Sequence, residues 1–191
     1  MILIGKNWQR RIEAAYSEPH RHYHTLAHLR YMFAEARRLG PLPPTVEWAI
    51  WFHDFVYDPR SATNEEDSAQ VARVALAEMG QPDGIIDRTA ELILTTKHGS
   101  AVLADDDARL LVSLDLAILA APPARYDEYV AQVRAEYAHV PDEAFQAGRA
   151  AFMRRFLEQR AIYPHPDFGE YERRARGNIE RELLLSTSAC S

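Results

Sequence analysis

The chain has 191 residues, of which 47% are hydrophobic and 26% charged, and its formal net charge is −6. This composition excludes intrinsic disorder as the main state, which requires low hydrophobicity and high net charge. Lysine and arginine are dispersed along the sequence, so a general binder of the nucleic-acid backbone is not expected. The single cysteine, Cys190, excludes a disulfide framework and a cysteine-rich zinc site.

The sequence predicts an all-α fold, because strand alternation and hairpin turns are nearly absent whereas helical periodicity is frequent. In chain order, the predicted helices cover residues 4–16, 24–39, 45–57, 64–79, 82–97, 106–120, 125–138, 142–160 and 168–185. Gly40-Pro41, Gly80 and Pro122-Pro123 are typical signals for helix ends. We expect a single domain over residues 1–191, a helical bundle with a core at about 20–121, C-terminal helices 122–185 packed on it, and a frayed tail at 186–191.

The sequence gives no sign of a membrane span. No apolar run approaches the ~20 residues that a span needs, and the apolar stretch at the N-terminus is too short for a signal peptide. We therefore expect a cytoplasmic location. The oligomeric state stays open, since no specific signal for it is found.

Titratable residues occur in apolar predicted helices at three places. The third helix reads TVEWAIWFHDFVY and contains His53 and Asp54. Asp115 lies in LLVSLDLAILA, with no lysine or arginine one turn away. The phrase HRHYHTLAH opens the second helix, where His24 and His28 are four residues apart and predicted to share one face. Burying an unpaired carboxylate costs on the order of several kcal/mol, so each acid requires a partner.

Each of these places has an ordinary explanation: a buried His–Asp hydrogen bond, a long-range salt bridge, or a surface cluster of histidines. One divalent metal ion bound by His28, His53, Asp54 and Asp115 explains all three together. Two imidazoles and two carboxylates suit Mn, Fe, Co, Ni, Zn or Mg and leave coordination positions for water. We predict one such ion and leave its identity open.

In this order the four residues resemble the H…HD…D pattern of the HD-domain superfamily of metal-dependent phosphohydrolases. The phrases YHTLAH, WFHDFVYDP, NEEDSA, TTKH and SLDLAIL resemble a bacterial branch of small predicted HD phosphohydrolases with no assigned substrate, and similar phrases continue towards the C-terminus. The resemblance implies an all-α fold whose helices carry the metal ligands. It also implies that metal-activated water hydrolyses a phosphoester or phosphoanhydride of a nucleotide or small phosphorylated metabolite.

Further site residues follow from the resemblance and from their positions. His24 stands where related cyclic-nucleotide phosphodiesterases have a histidine, which implies a general acid for the leaving oxygen. Asp58 resembles an acid of the HDxxED phrase in (p)ppGpp hydrolases, which implies that it orients or deprotonates the water, although Tyr57 replaces the preceding Glu. Glu66 is a candidate for contact with that water, or simply a partner of the helix dipole. The candidate phosphate ligands are Arg21, Lys97, His98, Arg134 and Arg149.

Two other functions fit the same residues. Some HD proteins use two irons for oxygenation, but dinuclear members have additional histidines between the HD pair and the last Asp. Here only His98 lies in that interval, which favours one ion. The second alternative is a metal-stabilised module that binds a ligand without turnover. For the hydrolase, the expected partner is a small anionic phosphorylated substrate, and neither a nucleic-acid polymer nor a membrane.

Overall fold

The computed structural model describes residues 2–97 and 105–188, with side chains described as far as residue 185. These residues form nine α-helices and two short 3₁₀ segments, with no strand among them, which confirms the all-α prediction. The helices are α1 (Lys6–Ala15), α2 (Leu26–Ala36), α3 (Pro44–Phe52), α4 (Asn64–Glu78), α5 (Asp83–Leu94), α6 (Asp106–Asp115), α7 (Pro123–Glu136), α8 (Asp142–Glu158) and α9 (Gly169–Ser188).

The start of α2 differs from the prediction. Thr25 adopts an extended conformation, and its side chain accepts a hydrogen bond from the backbone N–H of Ala27, so it caps a helix that begins at Leu26. His24 therefore precedes the helix, and the prediction that His24 and His28 share a helix face is wrong. A local side-chain bond from Thr25 overrides the helical spacing.

The ends of α3 and α6 also bear on the site. The N-cap position of α3 is Pro43, so the helix begins one residue before its predicted start at residue 45, and the hydroxyl of Thr45 lies 3.4 Å from Asp107 Oδ2. Because α3 ends at Phe52, the His-Asp pair that follows it lies outside the helix, contrary to the prediction. α6 stops at Asp115, and the chain continues as a 3₁₀ segment over Leu116–Ala120 instead of a longer α-helix.

Gly80 ends α4 as predicted. Its φ of +69° lies in the left-handed region that glycine adopts without a Cβ penalty. The backbone N–H of Gly80 donates to Ala77 O at 3.0 Å, and that of Gln81 donates to Leu76 O at 2.9 Å. This pair of bonds is the Schellman motif, and it turns the chain back so that α5 packs against α4.

The chain divides into two compact units, Met1–Asp115 and Leu116–Ser191. The boundary falls a few residues before the end of the predicted core, and the single-domain interpretation stays a prediction. All four predicted metal ligands belong to the first unit.

α3 is the central helix of the first unit and contacts α2, α4, α5 and α6. Val46, Trp48, Ala49, Ile50 and Phe52 are buried along it, as its almost wholly apolar sequence predicts. Burial of each large apolar side chain contributes about 1.5–3 kcal/mol. The end of this well-packed helix therefore holds the following residues, His53 and Asp54, in a fixed position.

The second unit contains both 3₁₀ segments together with α7, α8 and α9. Arg149 donates through Nε to Glu182 at 2.8 Å and through a terminal nitrogen to the Tyr129 hydroxyl at 3.0 Å. Tyr126 donates its hydroxyl to the same carboxylate. These contacts link α7, α8 and α9 through a largely buried ion pair, in which Tyr126 donates to the carboxylate and Tyr129 accepts from the guanidinium.

α9 continues to Ser188, so the backbone is helical beyond the predicted end at residue 185. The last three residues of the predicted frayed tail lie outside the described part of the chain. Within the described residues, every helix is too short or too polar to cross a bilayer.

Candidate metal centre

Three structural elements of the first unit bring the centre together. His28 lies in the first turn of α2, where the backbone N–H donates to Thr25 O at 3.0 Å. His53 and Asp54 directly follow α3, and Asp115 is the last residue of α6. Because α2 and α6 both pack on α3, the beginning of one helix and the ends of two others meet at one place.

Nε2 of His28 has three close neighbours among the other candidate ligand atoms. It lies 3.1 Å from Nε2 of His53, 3.1 Å from Oδ1 of Asp115 and 3.6 Å from Oδ2 of Asp54. His53 Nε2 lies 2.9 Å from Asp54 Oδ2 and 3.7 Å from Asp115 Oδ1. Two imidazole nitrogens and two carboxylate oxygens thus face a common point.

These separations fit the coordination of a first-row metal ion. With ligands ~2.1 Å from the ion, ligand atoms are ~3.0 Å apart at right angles and ~3.4 Å apart at the tetrahedral angle. One ligand atom each of His28, His53 and Asp115 lies within 4.8 Å of the others, so this group could hold a metal ion. The predicted metal-binding character of the centre is supported for these three residues, and Asp54 stands beside them.

The two kinds of ligand differ in their exposure. The side chains of His28 and His53 are each only 1% exposed, whereas those of Asp54 and Asp115 are 18% and 14% exposed. The histidines therefore form the closed wall of the centre, and the carboxylates form the side that reaches solvent. Any further ligand, such as water, has access on the carboxylate side.

The electrostatics of the centre follow from this crowding. Burial lowers the pKa of His28, and the nearby Asp115 only partly opposes it. Burial also disfavours the charged form of His53, but Asp54 and Asp115 outweigh it and raise its pKa to about 9. Burial raises the pKa of Asp54, yet His53 and then His24 more than offset this and hold it well below its usual range. The two carboxylates thus favour a positive charge in the centre.

The tautomer of His53 is set by the backbone. Its Nδ1 lies 3.1 Å from the carbonyl oxygen of Ile50 and donates to it, which leaves Nε2 to face the centre. Nδ1 of His28 is buried and has no hydrogen-bond partner in the part of the chain that the structure describes. The residues around the two imidazoles therefore orient them differently. A hydrogen bond orients His53, and packing orients His28, whose ring centroid lies 4.9 Å from that of Tyr23.

His24 lies beside the centre, although it is not on α2. Its ring centroid is 6.0 Å from that of His28, and it stacks on Tyr57 at 4.1 Å with an interplanar angle of 28°. The rings of Tyr23 and His24 are nearly perpendicular, with centroids 4.9 Å apart. Two tyrosines therefore fix the half-buried imidazole of His24 next to the candidate metal ligands.

Asp58 and Glu66 have other contacts. Oδ1 of Asp58 accepts a hydrogen bond from the backbone N–H of Arg60 at 2.9 Å, and the backbone of Asp58 is held by the side chain of Asn64. Glu66 forms an exposed ion pair with Lys97, whose ammonium also donates to Ala62 O at 2.9 Å. The predicted roles of Asp58 and Glu66 near the water, and of Lys97 near phosphate, stay predictions.

The three predicted phosphate-binding arginines have protein acceptors. Arg21 is buried and is discussed below. In the second unit, Arg134 donates to Asp142 and to the carbonyl oxygens of Tyr137 and Val140, at the end of α7. Arg149 pairs with the largely buried Glu182, as described above. The contact of Arg134 and Arg149 with phosphate stays a prediction, and His98 lies outside the described residues.

Arg21 requires a correction. Its side chain is fully buried, and its guanidinium donates to Glu18 and to the backbone oxygens of His24, Asp54 and Phe55. This placement leaves no exposed face for a phosphate, so Arg21 supports the centre instead of contacting substrate. The error arose because a phosphate ligand and a buried arginine look alike in sequence.

Sequence reasoning missed the aromatic residues around the centre. Tyr57 was considered only as a departure from a family phrase, yet it stacks on His24. Tyr16 is buried, and its hydroxyl lies 3.2 Å from Trp51 O, in the last turn of α3. The phrase HRHYH could have indicated the contact of Tyr23 with His24, whereas no local signal indicates the stack on Tyr57.

Comparison with family models, curated proteins and solved structures gives no match for this chain. The chemistry of the centre therefore rests on its own residues.

Proposed function

We propose that this chain is a metal-dependent phosphohydrolase of the HD-domain superfamily. The observation that carries the proposal is the meeting of His28, His53, Asp54 and Asp115, whose ligand atoms lie 2.9–3.7 Å apart in the five measured pairs. These are the residues that the H…HD…D resemblance selects from sequence. The four residues also lie close together in the folded chain, and this closeness supports the resemblance.

Asp54 completes the proposed ligand set. Its Oδ2 is within 3.6 Å of both histidine nitrogens, and its low pKa keeps it ionised at neutral pH. A divalent ion held by these four residues lowers the pKa of a coordinated water towards neutrality and polarises a phosphoryl oxygen. Two carboxylates balance the charge of such an ion, so an anionic substrate meets a neutral centre and not a repulsive one.

His24 is the proposed general acid for the leaving oxygen. An imidazole carries a transferable proton near neutral pH, and this one is half-buried beside His28. The stack on Tyr57 limits rotation of the ring, so the proton would be delivered from a fixed position. Such a residue would act after the centre has bound substrate, and its loss would leave metal binding intact.

The proposed substrate is a nucleotide or small phosphorylated metabolite. The open side of the centre consists of carboxylate edges that are only 14–18% exposed, which suits a terminal phosphate better than a folded polymer. The net charge of −6 also disfavours a long polyanion.

The test combines elemental analysis of untagged protein with a phosphate-release screen on nucleotides and sugar phosphates, using the same sample. We expect about one transition metal per chain and phosphate release that EDTA abolishes. Asp115→Asn should lose both, and Asp87→Asn, at an exposed position of α5, should keep both. Metal binding without any hydrolysis would favour a ligand-binding module, and two irons without phosphate release would favour an oxygenase.

A further inference from the structure

Arg21 lies wholly inside the first unit, with 0% of its side chain exposed. Its Nε donates to Glu18 Oε2 at 2.9 Å. One terminal nitrogen donates to Asp54 O at 2.7 Å and to His24 O at 3.2 Å, and the other donates to Phe55 O at 2.9 Å. Burying a guanidinium is costly unless its donors are satisfied, and here all three nitrogens have acceptors.

The acceptors explain why an arginine is used. The last carbonyl groups of α3 have nearer donors, such as the Tyr16 hydroxyl for Trp51 O and the backbone N–H of Phe55 for Phe52 O. The guanidinium binds two successive carbonyl oxygens just past the end of the helix, those of Asp54 and Phe55. A cation is also favoured at the negative C-terminal end of a helix. Arg21 thus fixes the turn that follows α3, from 33 residues earlier in the chain.

The same side chain also binds the segment before α2. Its contact with the carbonyl of His24 joins the backbone of that residue to the backbone of Asp54 through one planar group. The aromatic rings of Tyr16 and Tyr57 lie 5.1 Å and 5.4 Å from the guanidinium carbon. A planar, five-donor group packed between rings has little freedom to shift.

We propose that Arg21 is a positioning residue that fixes the metal ligand Asp54 and the His24 segment in one geometry. The inference rests on the metal-binding part of the proposed function. It differs from phosphate recognition, because no donor of Arg21 reaches the open side of the centre. Its consequence is that loss of Arg21 weakens metal binding although Arg21 is not a ligand.

The test measures Mn²⁺ affinity by titration calorimetry on the full chain, together with the visible spectrum of the Co²⁺-loaded protein. For Arg21→Met we expect Mn²⁺ affinity about 10–100-fold weaker than for wild type, as is typical when an outer partner of a metal ligand is removed. Arg21→Lys keeps the positive charge but loses the planar guanidinium with its several donors. Its Mn²⁺ affinity should therefore lie between those of Arg21→Met and wild type, and its Co²⁺ bands should shift. Glu18→Gln, which removes only the carboxylate partner, should give a smaller effect.

Arg176→Met is the matched control. In the second unit, Arg176 donates to the carbonyl oxygens of Leu157 and Gln159, at the end of α8, and pairs with Glu172. Its loss should lower the free energy of unfolding and leave the Mn²⁺ affinity unchanged. This control separates general destabilisation from a specific effect on the centre.

A folded Arg21 variant with wild-type Mn²⁺ affinity and an unchanged Co²⁺ spectrum would overturn the inference. If Arg21→Met does not fold, Arg21→Lys and Glu18→Gln decide by the same two measurements. Wild-type protein that binds Mn²⁺ yet hydrolyses no phosphate compound would overturn the phosphohydrolase proposal and leave the positioning role of Arg21 standing. The two failures are therefore distinguishable.

Discussion

The Nε2 atoms of His28 and His53 face each other at 3.1 Å, although the residues are 25 positions apart in the chain. Two unprotonated imidazole nitrogens at this distance repel each other, so the contact requires either a proton or a cation between them. Both nitrogens also face carboxylate oxygens, which only accept hydrogen bonds when ionised. A cation at the centre satisfies all four atoms at once. Without one, the raised pKa of His53 lets its Nε2–H donate to Asp54.

Metal removal should lower the stability of the wild-type protein. A ligand that binds only the folded state at 100 times its Kd adds about 2.7 kcal/mol to the free energy of unfolding. We expect excess Mn²⁺ to raise the Tm of EDTA-treated wild type, and Asp115→Asn to show no such rise. Differential scanning calorimetry with and without metal makes the measurement. An equal rise in both proteins would show that Mn²⁺ binds elsewhere.

Substitution of His24 should separate catalysis from metal binding. His24→Asn removes the proposed acid but none of the four ligands, so kcat should fall by about 10²–10⁴-fold. Metal content should stay at the wild-type level, because His24 is not in the group of residues that could hold the ion. Steady-state phosphate release and elemental analysis on one preparation test this. His22→Asn, at the exposed position two residues earlier, is the control, and a similar loss in it would contradict the role of His24.

Asp105 should stabilise α6 in a pH-dependent way. Its Oδ1 accepts the backbone N–H of Ala108 at 3.0 Å, which is an N-cap bond, and this bond and then the charge of Arg88 lower its pKa. A lowered pKa in the folded state means that the stabilisation is present above the unfolded value of about 3.9 and is lost as pH falls through the folded one. We expect Asp105→Ala to cost about 1 kcal/mol at pH 7.

The measurement for Asp105 is urea unfolding of wild type and Asp105→Ala at pH 7, 5 and 3. The difference between them should be nearly equal at pH 7 and 5 and should shrink at pH 3. A difference that grows on acidification would have the wrong sign for a carboxylate cap. Asp87→Ala, at an exposed position without a helix-capping bond, should show a smaller difference throughout.

The largely buried pair of Arg149 and Glu182 should stabilise the second unit. Removing the cation leaves an uncompensated carboxylate with little access to water, so Arg149→Met should destabilise the fold by about 3–5 kcal/mol. The double variant Arg149→Met/Glu182→Gln should recover part of this loss, because the charge that needed a partner is gone. Urea unfolding of the single and double variants measures the coupling. Additive losses would mean that the two side chains do not stabilise each other.

The sequence predicts the helices well because their periodicity and terminal residues are local signals. Gly80, for example, ends α4 through bonds that involve only nearby residues. Helix ends fixed by distant side chains are harder to predict. The His53-Asp54 pair was placed inside α3, since nothing in the local sequence shows that an arginine 33 residues earlier binds the carbonyl of Asp54.

The group of His28, His53 and Asp115, which could hold a metal ion, could be predicted because a carboxylate such as Asp115 in apolar surroundings is rare without a cation. The supporting residues could not be predicted equally well. An arginine is usually exposed, so the buried state of Arg21 depends on acceptors that only the folded chain brings together. Likewise, the stack of His24 on Tyr57 depends on how the chain turns after α3.

The unequal burial of the ligands also determines how an ion would enter and leave. The histidines are closed off by packing, whereas both carboxylates reach solvent, so exchange would proceed from the carboxylate side without unfolding of α2 or α3. Such a centre loads with whichever suitable cation is most abundant around it, and a chelator can strip it from the folded protein. The metal found in a purified sample would then reflect the growth medium as much as the protein, which makes the supply of cations during expression an experimental variable in its own right.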